Sequence, residues 1–395
     1  MNRSRKNVTV LSACQGLLLT NNSILIATNG LAGFALAADK SLATLPVTGY
    51  VVGAALTTIP ASHVMRHFGR RTGFTIGTVF GILGALVCSY AIYRHDFWLL
   101  CLGTLIAGVY NATGQYYRFA AADTAGESFK AKAISLVLAG GILGGILGPQ
   151  TSKYTINLFA PLTYAGCYLS LIGFCIVAAV LVQFIDVPPL SDAERRHSGR
   201  PLAAIVRQPA FVVAVTSAMI GYGVMNLLMT ATPLAMIACQ HPFSAAAFVI
   251  QWHIIGMFAP SFFTGSLIRR FGVLTVMLTG VVLNLCCITL AMSGIDVMHF
   301  TLALMLLGVG WNFMYIGGTT LLTECYTPAE RAKTQGVNDC LVFTMTAVTS
   351  ISSGALFSFQ GWHAMNMGAV PFLLLAAVAM GWLSLQRRQQ RRQSA

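Results

Sequence analysis

Residues Ser62–Phe74 read SHVMRHFGRRTGF, and residues Gly265–Met277 read GSLIRRFGVLTVM. Each stretch sets basic residues around a Phe-Gly pair, and each lies between long apolar runs. Phe68-Gly69 and Phe271-Gly272 stand 203 residues apart, and Gly53 falls on Gly256 at the same offset. Further on, Tyr110-Asn111 falls on Trp311-Asn312, Asp123 on Glu324, and Lys130-Ala131-Lys132 on Arg331-Ala332-Lys333, all at an offset of 201. Matches in order at a nearly constant offset mark an internal repeat of two homologous halves.

The chain around these copies is too apolar for a soluble fold. Of its 395 residues 56% are hydrophobic and 9% charged, where a soluble domain carries about 25% charged residues. Mean hydropathy is +0.72. The net charge of +13 sits in short clusters between apolar runs, which points to membrane orientation rather than nucleic acid. A helix needs about 20 mainly apolar residues to cross the hydrocarbon core. Twelve stretches meet this: 8–36, 44–65, 72–92, 98–122, 131–152, 161–184, 208–237, 244–266, 273–293, 297–323, 332–357 and 365–386. The first is a membrane helix rather than a signal peptide, because its apolar run continues past Asn21, Asn22 and Asn29 to Leu36. The predicted fold class is therefore all-α integral membrane, with twelve transmembrane helices in two pseudo-symmetric six-helix bundles. Residues 1–185 form the first bundle and 207–395 the second. Between them, 186–206 is polar, holds Pro188-Pro189 and the capping-box pair Ser191 and Glu194, and reads as a cytoplasmic linker with a short surface helix.

Orientation follows from Lys and Arg. With the N-terminus inside, the inner segments hold 20 basic residues, Arg66, Arg70, Arg71, Lys130, Lys132, Arg331 and Lys333 among them. The outer loops hold Lys40, Arg94 and Lys153. Both termini are expected in the cytoplasm, in the plasma (bacterial inner) membrane.

The Ser62–Phe74 stretch resembles the signature of the major facilitator superfamily, Gly-x-x-x-Asp-Arg-x-Gly-Arg-Arg. Gly69, Arg70 and Arg71 match its end. Ser62 stands at the leading Gly and Arg66 at the Asp. The second copy keeps Gly265, Arg270 and Gly272, with Arg269 at the acidic position. The resemblance covers nearly the whole chain and implies a secondary transporter whose halves rock about a central site. It implies gating roles for Arg66, Gly69, Arg70, Asp123, Arg270 and Glu324. Arg70 with Asp123, and Arg270 with Glu324, would be equivalent pairs at one end of each half. The stretches ALTTIPASHVMRHFGRR, GQYYRFAAADTA and KAISLVLAGG further resemble bacterial members grouped with riboflavin uptake transporters. The glycines of AGGILGGILGPQ, with Pro149, resemble instead a motif of drug antiporters. Multidrug efflux is therefore the competing reading, and a non-transporting membrane sensor or scaffold a third.

Polar side chains within spans face the bundle interior or a wet cavity. Gln15, Asn22 and Asn29 recur every seven residues. Asn111, Gln115 and Arg118 form one helical stripe, and Tyr222, Asn226 and Thr230 another. The family resemblance places helices 1, 4, 7 and 10 at the cavity, where helix 10 offers Trp311, Asn312 and Tyr315, with Trp252 nearby. These amides and rings suit a planar, mostly neutral solute with many hydrogen-bonding groups. Arg118 either snorkels to the cytoplasm or serves an anionic or polar substrate inside the cavity. Asp339 and His253 are the candidates for proton coupling, and Asp339 is alternatively a partner for Arg66.

No phosphate-binding loop is present, which leaves no site for ATP hydrolysis. No nucleophile–base set or CxxC pair is present either, so an enzyme, a metal and a cofactor are not expected. The ten Cys read as small buried hydrophobes. The expected partners are a small-molecule substrate, the lipid bilayer and protons, for a monomer that binds no nucleic acid.

Overall fold

A computed structural model describes residues 3–39, 42–43, 45–188 and 199–393. Lys40 and the linker residues Ser191, Glu194, Arg195 and Arg196 lie outside the described residues. Every regular element among the described residues is helical. The helices are α1 (Arg3–Leu36), α2 (Leu45–Phe68), α3 (Arg70–Arg94), α4 (Phe97–Gly114), α5 (Tyr117–Asp123), α6 (Glu127–Ala139), α7 (Ile142–Thr155) and α8 (Ala165–Val182). After the short α9 (Leu202–Val206) come α10 (Pro209–Ala238), α11 (Phe243–Phe258), α12 (Ser261–Phe271), α13 (Val273–Ser293), α14 (Val297–Leu322) and α15 (Arg331–Gln393).

Among the described residues, ten helical stretches are long and apolar enough to cross a bilayer on these grounds alone. Two of them are the pairs α4–α5 and α6–α7. The pair α11–α12 and the first arm of α15 complete the twelve passages of the expected fold. Large apolar side chains such as Leu56, Val79, Trp98, Val180 and Val378 stand exposed. On a chain this apolar, such faces are solvated by lipid rather than water.

Periodicity did not foretell where the passages break. α4 gives way to α5 through turns at Gln115 and Tyr116, and α6 to α7 at Gly140-Gly141. α11 stops before Pro260, which has no backbone N–H to donate. The expected loop between the last two spans is absent. Two helices meet at Gly361, whose φ of 77° and ψ of 176° form a backbone state that only glycine adopts readily.

Contacts divide the chain into two units. Unit 1 comprises Met1–Gly126, Leu136–Gly199 and Pro328–Thr344; unit 2 comprises Glu127–Ser135, Arg200–Thr327 and Met345–Ala395. In unit 1, α2 and α4 cross at Gly53 and Gly108. A Cβ on Gly53 would lie 2.1 Å from the Leu105 carbonyl oxygen, and one on Gly108 2.5 Å from that of Tyr50. In unit 2, α11 and α14 cross at Gly256 and Gly308 in the same way. There the distances would be 2.8 Å to Met305 O and 2.7 Å to His253 O. Gly69 and Gly272, the repeated Phe-Gly glycines, share φ values of 87° and 86°. The repeat read from sequence is thus a repeat of backbone geometry.

The glycines of α6 and α7 serve packing within unit 1. Cβ atoms on Gly140, Gly144 and Gly148 would strike Ser12, Leu19 and Ser23 of α1 at 2.0–2.5 Å. Small residues let these helices touch backbone to backbone.

Candidate functional site

Unit 1 carries a polar ladder on α1, α2, α4, α5 and the start of α15. The Tyr50 hydroxyl donates to Asn22 Oδ1. Asn111 Oδ1 accepts from Asn22 Nδ2 and from Gln115 Nε2, both at 3.2 Å. Arg118 Nη1 donates to Gln115 Oε1 at 2.9 Å and to the Gln115 carbonyl at 3.0 Å. Arg118 Nη2 donates to Asp339 Oδ1 at 2.5 Å, and Asn338 Nδ2 reaches the same oxygen at 2.7 Å. The predicted stripe Asn111–Gln115–Arg118 therefore survives the turn between α4 and α5. That turn frees the Gln115 carbonyl, and Arg118 takes it up, as irregular backbone inside a membrane protein requires.

Arg118 does not snorkel. Its side chain is 1% exposed and that of Asp339 2%. Asp339 pairs with Arg118, not with Arg66, because α15 presents it to the guanidinium beside the broken helix. A pair so far from water is held by mutual attraction, and losing either partner leaves an uncompensated charge. Asp339 Oδ2 is buried and accepts no hydrogen bond from the described residues. The helix 1 stripe divides, since Asn29 Oδ1 accepts from Tyr168 of α8 at 2.8 Å and belongs to the interior of unit 1.

A second charged group in unit 1 occupies the altered signature. Arg70 donates through Nε and Nη2 to Asp123 Oδ2 at 3.2 and 2.9 Å, and through Nη2 to Gln335 Oε1 at 2.7 Å. Arg331, the first residue of α15, meets the same Asp123 oxygen at 3.2 Å. Asp123 thus places an anion at the N-terminus of α15, where the helix dipole favours one. Arg66 cannot fill that role. Ser62, in place of the leading Gly, faces Gly336 of α15; a Cβ there would lie 2.8 Å from Ser62 Oγ.

The equivalent pair in unit 2 differs from the expectation. Glu324 pairs with Arg387 at 2.6 Å, while the Arg270 guanidinium lies over the Phe271 ring at 5.2 Å. The second arm of α15 delivers Arg387 to the carboxylate.

Unit 2 gathers aromatic rings. Trp311 and Tyr315 of α14 are stacked, with centroids 5.1 Å apart and planes at 18°. The half-buried Tyr222 of α10 meets both edge-on, at 5.3 and 5.0 Å. Phe258 closes on Trp311 at 5.7 Å. Among the described residues, the buried indole N–H of Trp311 has no acceptor. Asn226 Nδ2 donates to the Thr346 carbonyl and to Thr349 Oγ1. Asn312 is engaged by the protein itself. It donates to Met257 O and Ser261 Oγ and accepts from Thr264 Oγ1, bridging the break between α11 and α12. His253 is fully buried, with Nδ1 2.7 Å from Leu304 O. Trp252 is half-exposed and packs on Phe248. Sequence reading missed Tyr50, Asn338 and Phe258. Tyr50 carried one signal: it occupies the position of His253 in the repeat.

Comparison with known proteins accords with this geometry. The sequence profile of the Major Facilitator Superfamily matches residues 11–259 and 231–395. The riboflavin transporter RfnT of Brucella anthropi is 40% identical over 379 residues, covering 95% of each chain. Among solved structures, the E. coli fucose:proton symporter FucP superposes with a TM-score of 0.75 at 17% identity, over 96% of this chain and 99% of its own. The human organic anion transporter MFSD10 does so with a TM-score of 0.76 at 14% identity, over 96% and 100%. At those identities the solved structures speak for the fold alone. The chain belongs to the Major Facilitator Superfamily and is a multi-pass membrane transporter of a small molecule, not an enzyme.

Proposed function

We propose that the protein carries riboflavin, or a flavin closely related to it, across the bacterial inner membrane as a monomer. Two halves, 1–185 and 207–395, would alternate access about the 186–206 linker, with both termini in the cytoplasm. The observation that carries this reading is the 40% identity with a riboflavin transporter over 95% of both chains. The available side chains suit that solute. An isoalloxazine is a flat ring system whose edge both donates and accepts hydrogen bonds. Asn22, Asn111 and Gln115 supply matching amide donors and acceptors. Tyr222, Trp311 and Tyr315 supply ring faces and edges, worth about 0.5–1.5 kcal/mol per aromatic contact. Asp339, buried against Arg118, is the proposed proton carrier, and a proton on its carboxylate would release the arginine.

The test is saturable riboflavin exchange by purified protein in liposomes, with binding read from flavin fluorescence. Trp311→Ala and Asn111→Ala should each weaken binding about tenfold, as loss of one aromatic or charge-free polar contact of 1–1.5 kcal/mol predicts. Asp339→Asn should abolish accumulation driven by a pH gradient while sparing exchange. Tight binding of lipophilic cations with no response to riboflavin would replace this reading with drug efflux.

A further inference from the structure

In unit 1, one side chain joins two sets of contacts that have different chemistry. Gln115 Nε2 holds the amide ladder through Asn111 Oδ1, and Gln115 Oε1 holds Arg118. Arg118 in turn holds Asp339 on the first arm of α15. Gln115 also stands at the turn between α4 and α5, and its own carbonyl is the second acceptor for Arg118 Nη1. Asn111 Oδ1 already accepts two hydrogen bonds, from Asn22 and Gln115. A ligand group that donates to Asn111 Oδ1, whose two lone pairs are both taken, must therefore displace part of the ladder.

We propose that Gln115 is a positioning residue that couples ligand occupancy of the Asn22–Asn111 amides to the Arg118–Asp339 lock on the start of α15. With the ladder intact, the Gln115 amide is turned so that its oxygen faces Arg118, and the guanidinium is aimed at Asp339. When a ligand takes the amides, Gln115 turns away and Arg118 loses Gln115 Oε1, one of the acceptors that fix its direction. The Asp339 pair loosens, and residues 331–344 are released from their fixed place in unit 1. Linkage makes the effect reciprocal: whatever loosens the lock raises affinity at the amides by the factor through which ligand loosens the lock. Coupling of this kind is typically about 5–150-fold. The identity of the ligand as a flavin rests on the proposed function above; the lock does not.

Two measurements separate these claims. Hydrogen–deuterium exchange of residues 331–344 in the ligand-free protein tests the lock. Gln115→Leu should raise exchange there about tenfold, close to the effect of Asp339→Asn, while α3 and α13 keep wild-type exchange. Arg118→Lys, which retains the charge but loses the planar fork, should do the same and guards against a folding defect in any one variant. Wild-type exchange at 331–344 in Gln115→Leu overturns the proposal. Riboflavin affinity tests the coupling. Asp339→Asn should tighten binding several-fold in the wild-type background and leave it unchanged in the Gln115→Leu background. Equal changes in both backgrounds overturn the coupling through Gln115. If the wild-type protein binds no riboflavin, the flavin reading fails, and the exchange experiment still decides the lock.

Discussion

At Asp123 a single carboxylate oxygen meets both Arg70 and Arg331. Asp123→Asn removes the anion and leaves two mostly buried guanidinium groups facing each other. The expected loss is about 3–5 kcal/mol, read as a lower unfolding temperature in detergent. Reversing Arg70 and Asp123 together should recover only part of transport, because Arg331 keeps its charge. Equal loss in single and double reversals would remove the pair from the gating mechanism. The neighbouring Ser62 explains how the departed signature is tolerated: room for its side chain is made on the partner helix, at Gly336. Gly336→Ala should destabilise by about 1–3 kcal/mol through overpacking, and adding Ser62→Gly should restore most of that. At this scale the sequence was partly legible. The Asn111–Gln115–Arg118 stripe could be read from helical spacing, and Arg70–Asp123 was implied by the family resemblance. Arg118–Asp339 and Glu324–Arg387 could not, because each joins residues 221 and 63 positions apart that only tertiary packing brings together.

Helices were legible where apolar length alone decides them and illegible where they break. Hydropathy does not register a turn at Gln115–Tyr116 or a stop before Pro260, since averaged over a whole span each passage stays apolar and reads as one. The glycine stripe of α6 and α7 carries a prediction of its own. Gly140→Ala would set a methyl group 2.0 Å from the Ser12 carbonyl oxygen. That contact is backbone and cannot be relieved by a rotamer change. The variant should therefore lose more thermal stability than Gly173→Ala, whose Cβ would meet nothing within 4 Å.

For the whole molecule, the repeat was the most informative reading. Two crossings built on Gly53–Gly108 and Gly256–Gly308 reproduce one another, although the side chains around them differ. Apolar content and the charge clusters were enough for twelve passages, because a bilayer permits few alternatives. The proposed topology predicts that reporters fused after Lys40 and after Ala395 lie on opposite sides of the membrane. Reporters on the same side would break the twelve-passage order.

The single-residue junction at Gly361 bears on how the chain enters the bilayer. The first arm of α15 opens with Gln335, Asn338 and Asp339, polar residues that cost free energy to place in lipid, whereas the second arm carries no Asp, Glu, Lys or Arg between Gly361 and Leu385; the first is the weak arm of the two. With no loop to part them, the weak arm is tethered directly to a strong one. Insertion of the weak arm would then depend on the strong arm made immediately after it. Lengthening the junction with a flexible polar spacer after Gly361 should leave the strong arm integrated and strand the weak arm, detectable as a newly glycosylated acceptor site during synthesis into microsomes.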